Sequence, residues 1–76
     1  MNVRYEYMEK FAIKLVKGDD SKILETFTNK QEALAAGVKY RAEYTREQGL
    51  ISCIQAEFDE SNNIVGNKYK LIDAWR

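Results

Sequence analysis

Few side chains in this 76-residue sequence are suited to catalysis. There is no histidine, the residue that most often transfers protons near neutral pH. Cys53 is the only cysteine and lies within an apolar run, so we interpret it as a packed thiol rather than a nucleophile. One thiol without histidine cannot make a zinc site. The residue types therefore predict no catalytic centre, no metal and no cofactor.

The carboxylates occur in two pairs, Asp19-Asp20 and Asp59-Glu60, and both pairs lie in stretches typical of turns. The stretch DESNNIVG, which starts at Asp59, has the oxygen ligands of a calcium loop at its first positions. Ile64 then stands where the loop needs glycine, and Lys70 stands where it needs a bidentate glutamate. We therefore expect these acidic residues to be structural and the protein not to be an enzyme.

Arg41 is the one charged side chain that projects from the apolar side of a predicted helix. A ligand-binding role is disfavoured, because no second basic or phosphate-binding element accompanies this arginine, and two structural interpretations are open. Its stem can cover Leu34 or Val38 while the guanidinium reaches water at the edge of the sheet. Alternatively, the guanidinium forms a structural ion pair with Asp73 or Glu57 and so fixes the helix on the sheet.

The elements that position these residues begin with a hairpin. Residues 3–17 alternate apolar and polar, with a break at Glu9, as in a strand with one buried face. Residues 1–8 are interpreted either as a loose arm or as an extension of that strand. GDDS forms the turn, and KILETFT returns as strand 2. The inward face of strand 2 stays open, because Ile23 shares a side with Glu25 while Leu24 lies opposite.

A single helix follows, from about residue 30 to 48. Asn29 with Glu32 matches a capping box, Thr28 with Gln31 is the competing register, and Gly49 would end the helix. Gly37 lies near the centre of the apolar side. Because glycine there costs about 1 kcal/mol relative to alanine, we expect a close approach between helix and sheet at this residue.

Two more strands complete the pattern: LISCIQAEF, and IVGNKYKLIDAW with an expected bulge at Gly66-Asn67. The order ββαββ predicts one domain over residues 1–76, of the α+β class. We expect a two-layer fold in which a four-stranded antiparallel sheet of order 2-1-3-4 carries the helix on one face.

One helix leaves the other sheet face uncovered, and this predicts an interaction surface. We place six residues on that face: Ala12, Val16, Ile51, Cys53, Ile72 and Ala74. Tyr69, Leu71 and Trp75 alternate along the last strand, with Asp73 among them. They are either ordinary core residues or a further contact surface. The hypothesis is a protein-interaction module that forms a homodimer or binds another protein.

Charge and hydropathy argue against nucleic-acid binding, membrane association and secretion. Twelve basic and twelve acidic residues balance, whereas nucleic-acid binders usually show a basic excess. No apolar stretch approaches the length of a membrane span, and the first ten residues lack the apolar run of a signal peptide. We therefore expect a cytoplasmic protein that does not bind membranes.

The passage from strand 2 into the helix, with Phe27, Thr28, Glu32 and Ala33, resembles short uncharacterised bacterial ββαββ proteins that are often carried by mobile elements. It is also similar to the helix entry of the arm-type DNA-binding domain of tyrosine integrases. The second resemblance implies an alternative function as a DNA- or RNA-binding accessory protein. Four lysines on the two hairpins would then contact phosphates: Lys14, Lys17, Lys68 and Lys70.

Overall fold

The computed structural model describes residues 8–75 and contains the predicted ββαββ order. The elements are strands β1 (Met8–Lys17) and β2 (Asp20–Phe27), helix α1 (Lys30–Glu43), and strands β3 (Leu50–Phe58) and β4 (Ile64–Trp75). All neighbouring strands are antiparallel, in the order β2-β1-β3-β4. The fold class and sheet order are thus confirmed. The alternatives for residues 1–8 lie outside the described residues, except that Met8 opens β1.

The helix covers one end of one sheet face, and this explains the break in the β1 alternation. Phe11, Ile13 and Leu15 point to the helix. Glu9 points to the same side, but it pairs with Glu57 and accepts a hydrogen bond from the Gln55 amide beyond the end of the helix. The break in hydrophobicity therefore marks the limit of helix coverage and not the start of the strand.

A β-bulge in β2 resolves the inward face of that strand. Ile13 pairs with Glu25 while Lys14 pairs with Ile23, so Leu24 is the extra residue. The bulge interrupts the alternation, with Leu24 packing on the helix side and Ile23 on the opposite face. Strict alternation could not predict which side chains of β2 face the helix. The residues that do so are odd-numbered after the bulge and even-numbered before it.

Strand β4 is bulged twice. The expected irregularity at Gly66-Asn67 is confirmed, with a register shift there and left-handed φ values of 66° and 54°. A second shift lies further along, where Cys53 pairs with Asp73 and Ile54 pairs with Leu71. Since Ile72 is the extra residue, it joins the side chains beneath the helix.

The apolar side chains form two clusters on opposite faces of the sheet. The helix-side core has four fully buried members: Ile13, Ala33, Ile51 and Cys53. Partly buried residues of the helix pack around them. The second cluster lies on the face that α1 does not cover, and we call it the open-face cluster. Its members are Ala12, Ile54, Ala56 and Phe58, and Ile23 and Ile64 pack at its margin. No helix or strand among residues 8–75 is stacked on that face.

The helix begins as predicted and ends earlier. The Asn29 side chain accepts hydrogen bonds from the backbone N–H groups of Gln31 and Glu32, which selects the Asn29 register of the cap. The helix stops at Glu43 instead of residue 48 because Tyr44 is extended. Thr45 and Gln48 then cap each other reciprocally around a separate turn. This second capping box, T-x-x-Q, was present in the sequence.

Gly37 makes the close approach that its position predicted. A Cβ atom there would lie less than 3.0 Å from three atoms of the Trp75 indole ring. The tryptophan therefore fills the space that a helix side chain would occupy, and it joins the end of β4 to the middle of α1. The cost of a helical glycine is offset by the packing of the largest side chain in the sequence.

We predict that Gly37→Ala lowers the free energy of unfolding by about 1 kcal/mol. The alanine gains ~1 kcal/mol of helix propensity but displaces the indole, and overpacking costs ~1–3 kcal/mol. In a Trp75→Leu background, the same Gly37→Ala change should instead stabilise. Urea unfolding followed by far-ultraviolet circular dichroism measures all four proteins. A stabilising Gly37→Ala change in the wild-type background would contradict the contact.

Candidate interaction surface

The sequence placed several interaction residues on the wrong face. Ile51, Cys53 and Ile72 lie in or against the helix-side core, and Trp75 packs on Gly37. The reason is that β3 is a central strand with apolar residues on both faces, so its own pattern does not say which face the helix covers. The pairing of Ile13 with Cys53 decides it.

Other predicted residues do lie on the open face. Ala12 belongs to the open-face cluster, and Val16 and Ala74 share its side through their pairing with Leu50 and Ser52. These residues are small or lie at the margin. Ala12 is buried and forms part of the floor of this surface, Val16 is half-buried, and Ala74 is exposed.

Four large apolar side chains of this face are exposed, and we call them the open-face patch: Met8, Leu50, Tyr69 and Leu71. Leu71 is 58% exposed and Tyr69 is 55% exposed. They stand on β4 opposite Ile54 and Ala56 of the open-face cluster. Large apolar groups beside a buried apolar floor mark a contact surface more strongly than scattered exposed residues do.

Lys14 lies across the middle of this face. Its residue exposure is 9%, and its Nζ is 4.6 Å from the centroid of the Tyr69 ring. Because Lys14 is on β1 and Tyr69 is on β4, the stem of the lysine must cross β3 to reach the ring. The stem shields small floor residues from water, and such a cation–π contact contributes ~0.5–2 kcal/mol. This arrangement was not visible in the sequence, since it joins residues two strands apart.

The four lysines of the nucleic-acid alternative do not share one surface. Lys14 is on the open face, whereas the pairings of Lys17 with Asp20 and of Lys70 with Gln55 put those two on the helix side. Lys68 lines a shallow groove at the β4 bulge with Glu57, Val65 and Gly66. The structure thus does not assemble them into a basic stripe.

Both edges of the sheet are irregular. β2 is interrupted at Leu24, and β4 is interrupted at Gly66-Asn67 and at Ile72. Lysines also project from the β4 edge, at Lys68 and Lys70. Bulges and lysines are the devices by which natural sheets prevent edge-to-edge pairing. The open face is therefore a better contact surface than either edge.

Arg41 does not form the ion pair with Asp73. Its Nη1 donates to the carbonyl oxygen of Tyr44, at 3.4 Å, just past the end of the helix. Asp73 lies opposite Cys53, whose charged neighbours also include Lys30 at the start of the helix. Arg41 is eleven residues, or ~16 Å of helix, beyond Lys30. Glu57 is more distant, because it pairs with Glu9 beyond the helix.

Cys53 behaves as a packed thiol. Burial beneath the helix raises the pKa of its thiol, and the Asp73 carboxylate raises it further, while Lys30 acts in the opposite direction. A raised pKa keeps the sulfur protonated and a poor nucleophile. Within residues 8–75, no group of three histidine, cysteine, aspartate or glutamate side chains could hold a metal ion.

A hydrogen bond from Tyr40 to Glu25 joins the helix to β2. The phenol donates to Oε1 of Glu25 at 2.7 Å. This hydrogen bond is the main cause that raises the pKa of Tyr40 to about 12; partial desolvation and the charge of Glu25 add to it. The bulge at Leu24 brings Glu25 to the helix side, and so an acidic residue that obscured the sequence pattern has a structural role.

The fold and surface together define a small two-layer α+β domain with an apolar sheet face that no helix or strand of residues 8–75 covers. Comparisons with protein-family models, curated proteins and solved structures found no match. Within the described part of the chain, α1 is too short and too polar to cross a membrane.

We predict that Arg41→Met changes the free energy of unfolding by less than about 1 kcal/mol. The change removes one hydrogen bond and a cation near the helix C-terminus, an interaction worth ~0.3–1 kcal/mol, and it keeps an apolar stem. Thermal unfolding of wild type, Arg41→Met, Asp73→Leu and the double variant measures the coupling, which should be close to zero. A large loss in Arg41→Met that Asp73→Leu rescues would instead establish the ion pair.

We predict that Tyr40→Phe destabilises the fold by about 1 kcal/mol at neutral pH. The folded pKa of about 12 exceeds the ordinary value of 10.0. The contribution of the hydrogen bond is therefore fully present below pH 10 and is lost as the pH rises through 12. Difference spectroscopy of tyrosine ionisation should show a last step that disappears in Tyr40→Phe and stays in the matched control Tyr44→Phe. The absence of a late step in folded wild type would contradict this.

Proposed function

We propose that this domain is a protein-interaction module that self-associates through its open face. The observation that carries the proposal is the position of the open-face patch beside the open-face cluster. Covering a half-exposed leucine or tyrosine stabilises an interface by ~1 kcal/mol or more per side chain. A second copy supplies the missing layer with the same apolar surface, as in an isologous dimer.

The size of the face fits a weak dimer. Open-face residues extend along β1 from Met8 to Val16, ~27 Å, and four strands are ~19 Å wide, which gives a flat area of ~500 Å². Two such faces provide ~1,000 Å², the lower limit for a specific interface. We therefore expect dissociation in the micromolar range or weaker, and an interface that uses nearly the whole face.

The proposal is for a binding role rather than a catalytic one. It is supported by a sequence without histidine and by a cysteine whose thiol is buried and protonated. We propose a cytoplasmic location, where a lone thiol such as Cys53 remains reduced.

Two matched substitutions to serine, one of Leu71 and one of Val38, test the proposal. Leu71 is 58% exposed on the open face, and Val38 is 61% exposed on the outer side of the helix. We predict that Leu71→Ser raises the dimer dissociation constant at least tenfold, because each copy loses an apolar contact of ~1.5 kcal/mol. Val38→Ser should leave it unchanged. Sedimentation equilibrium over a wide concentration range measures both, with circular dichroism as the folding control.

Two results would overturn self-association. The first is a wild-type protein that stays monomeric at all concentrations; the second is equal weakening by both substitutions. The same samples should be mixed with single-stranded and duplex oligonucleotides at low salt. Binding that disappears as salt rises, in a protein that stays monomeric, would instead support the alternative function of nucleic-acid binding.

A further inference from the structure

Among residues 8–75, the open face carries lysines and no carboxylate. By strand register, the charged residues on this face among residues 8–75 are Lys10 and Lys14. The Nζ of Lys10 donates to the Asn62 side chain at 3.0 Å, near the β3-β4 turn. Lys14 instead reaches inward over Tyr69, so its ammonium lies close to the middle of the patch.

A second copy on this face would remove water from that ammonium. The desolvation cost of an unpaired charge is large, and a cation–π contact offsets a small part of it. The geometry of an isologous dimer adds to the cost. Both copies present the same face, so a central lysine of one copy approaches the same lysine of the other.

We infer that Lys14 sets the strength of self-association by opposing it, an inference that rests on the proposed function. In the monomer, the stem and ammonium of Lys14 cover the apolar floor and keep it wettable. On dimerisation, the side chain must be displaced or its charge must be buried. Inward-pointing charges on a sheet are a known means of preventing unwanted association.

The inference predicts a salt dependence opposite to that of an attractive ion pair. Sodium chloride screens repulsion between exposed charges over ~8 Å at physiological ionic strength. Wild-type dimerisation should therefore strengthen as salt rises. A variant without the Lys14 charge should start from a tighter constant at low salt and respond much less.

The experiment compares dimer dissociation constants at low and high sodium chloride by sedimentation equilibrium. Lys14→Met removes the charge and keeps an apolar stem, and Lys14→Gln is a second neutral variant in case the first perturbs folding. Lys39→Met is the matched control, since Lys39 is an exposed lysine on the helix and its loss changes the net charge equally. Circular dichroism verifies that each variant is folded.

We expect Lys14→Met and Lys14→Gln to tighten the dimer at least tenfold at low salt, with little effect of Lys39→Met. Weaker dimerisation in both Lys14 variants, or equal tightening by Lys39→Met, would overturn the inference and leave the proposed self-association standing. Monomeric wild type with dimeric Lys14→Met would overturn the proposed function and support the inference. If no protein associates, both are overturned.

Discussion

The structure depends on one constraint of size, which is that a single short helix cannot cover a four-stranded sheet. α1 has fourteen residues and is ~21 Å long, while β4 alone has twelve residues and extends ~40 Å. The helix therefore protects one end of one face. Glu9 and Glu57 remain in water on that face beyond the helix, and a second apolar cluster forms on the other face.

β-Bulges direct side chains of the two outer strands to the face on which they pack. Without the extra residue at Leu24, the side chain of Leu24 or that of Glu25 would face away from the helix. Without the extra residue at Ile72, the two ends of β4 could not supply Trp75 to the helix side and Tyr69 to the open face. The same bulges disrupt the two outer edges, so one device directs side chains and protects the sheet from edge pairing.

The open face combines features that act in opposite directions. Its floor residues are small, so the Lys14 stem can lie across them and cover apolar surface. The ammonium at the end of that stem contacts the exposed Tyr69 ring. Its exposed leucines and tyrosine still favour contact with another apolar surface. Lys14, which is 9% exposed, therefore lies over the floor that such a contact would use.

The sequence by itself determined the elements and their order. The Asn29 cap, the Gly66-Asn67 bulge and the ββαββ pattern are local signals, and short loops then leave few ways to arrange four strands. The early end of the helix was also encoded, in Thr45 and Gln48, but a stronger helical pattern concealed it. Only the tertiary structure decided which face of β3 met the helix, since Ile51 and Ile54 are equally apolar. It also decided the contact of Lys14 with Tyr69, because strand pairing brings these two residues together from distant parts of the chain.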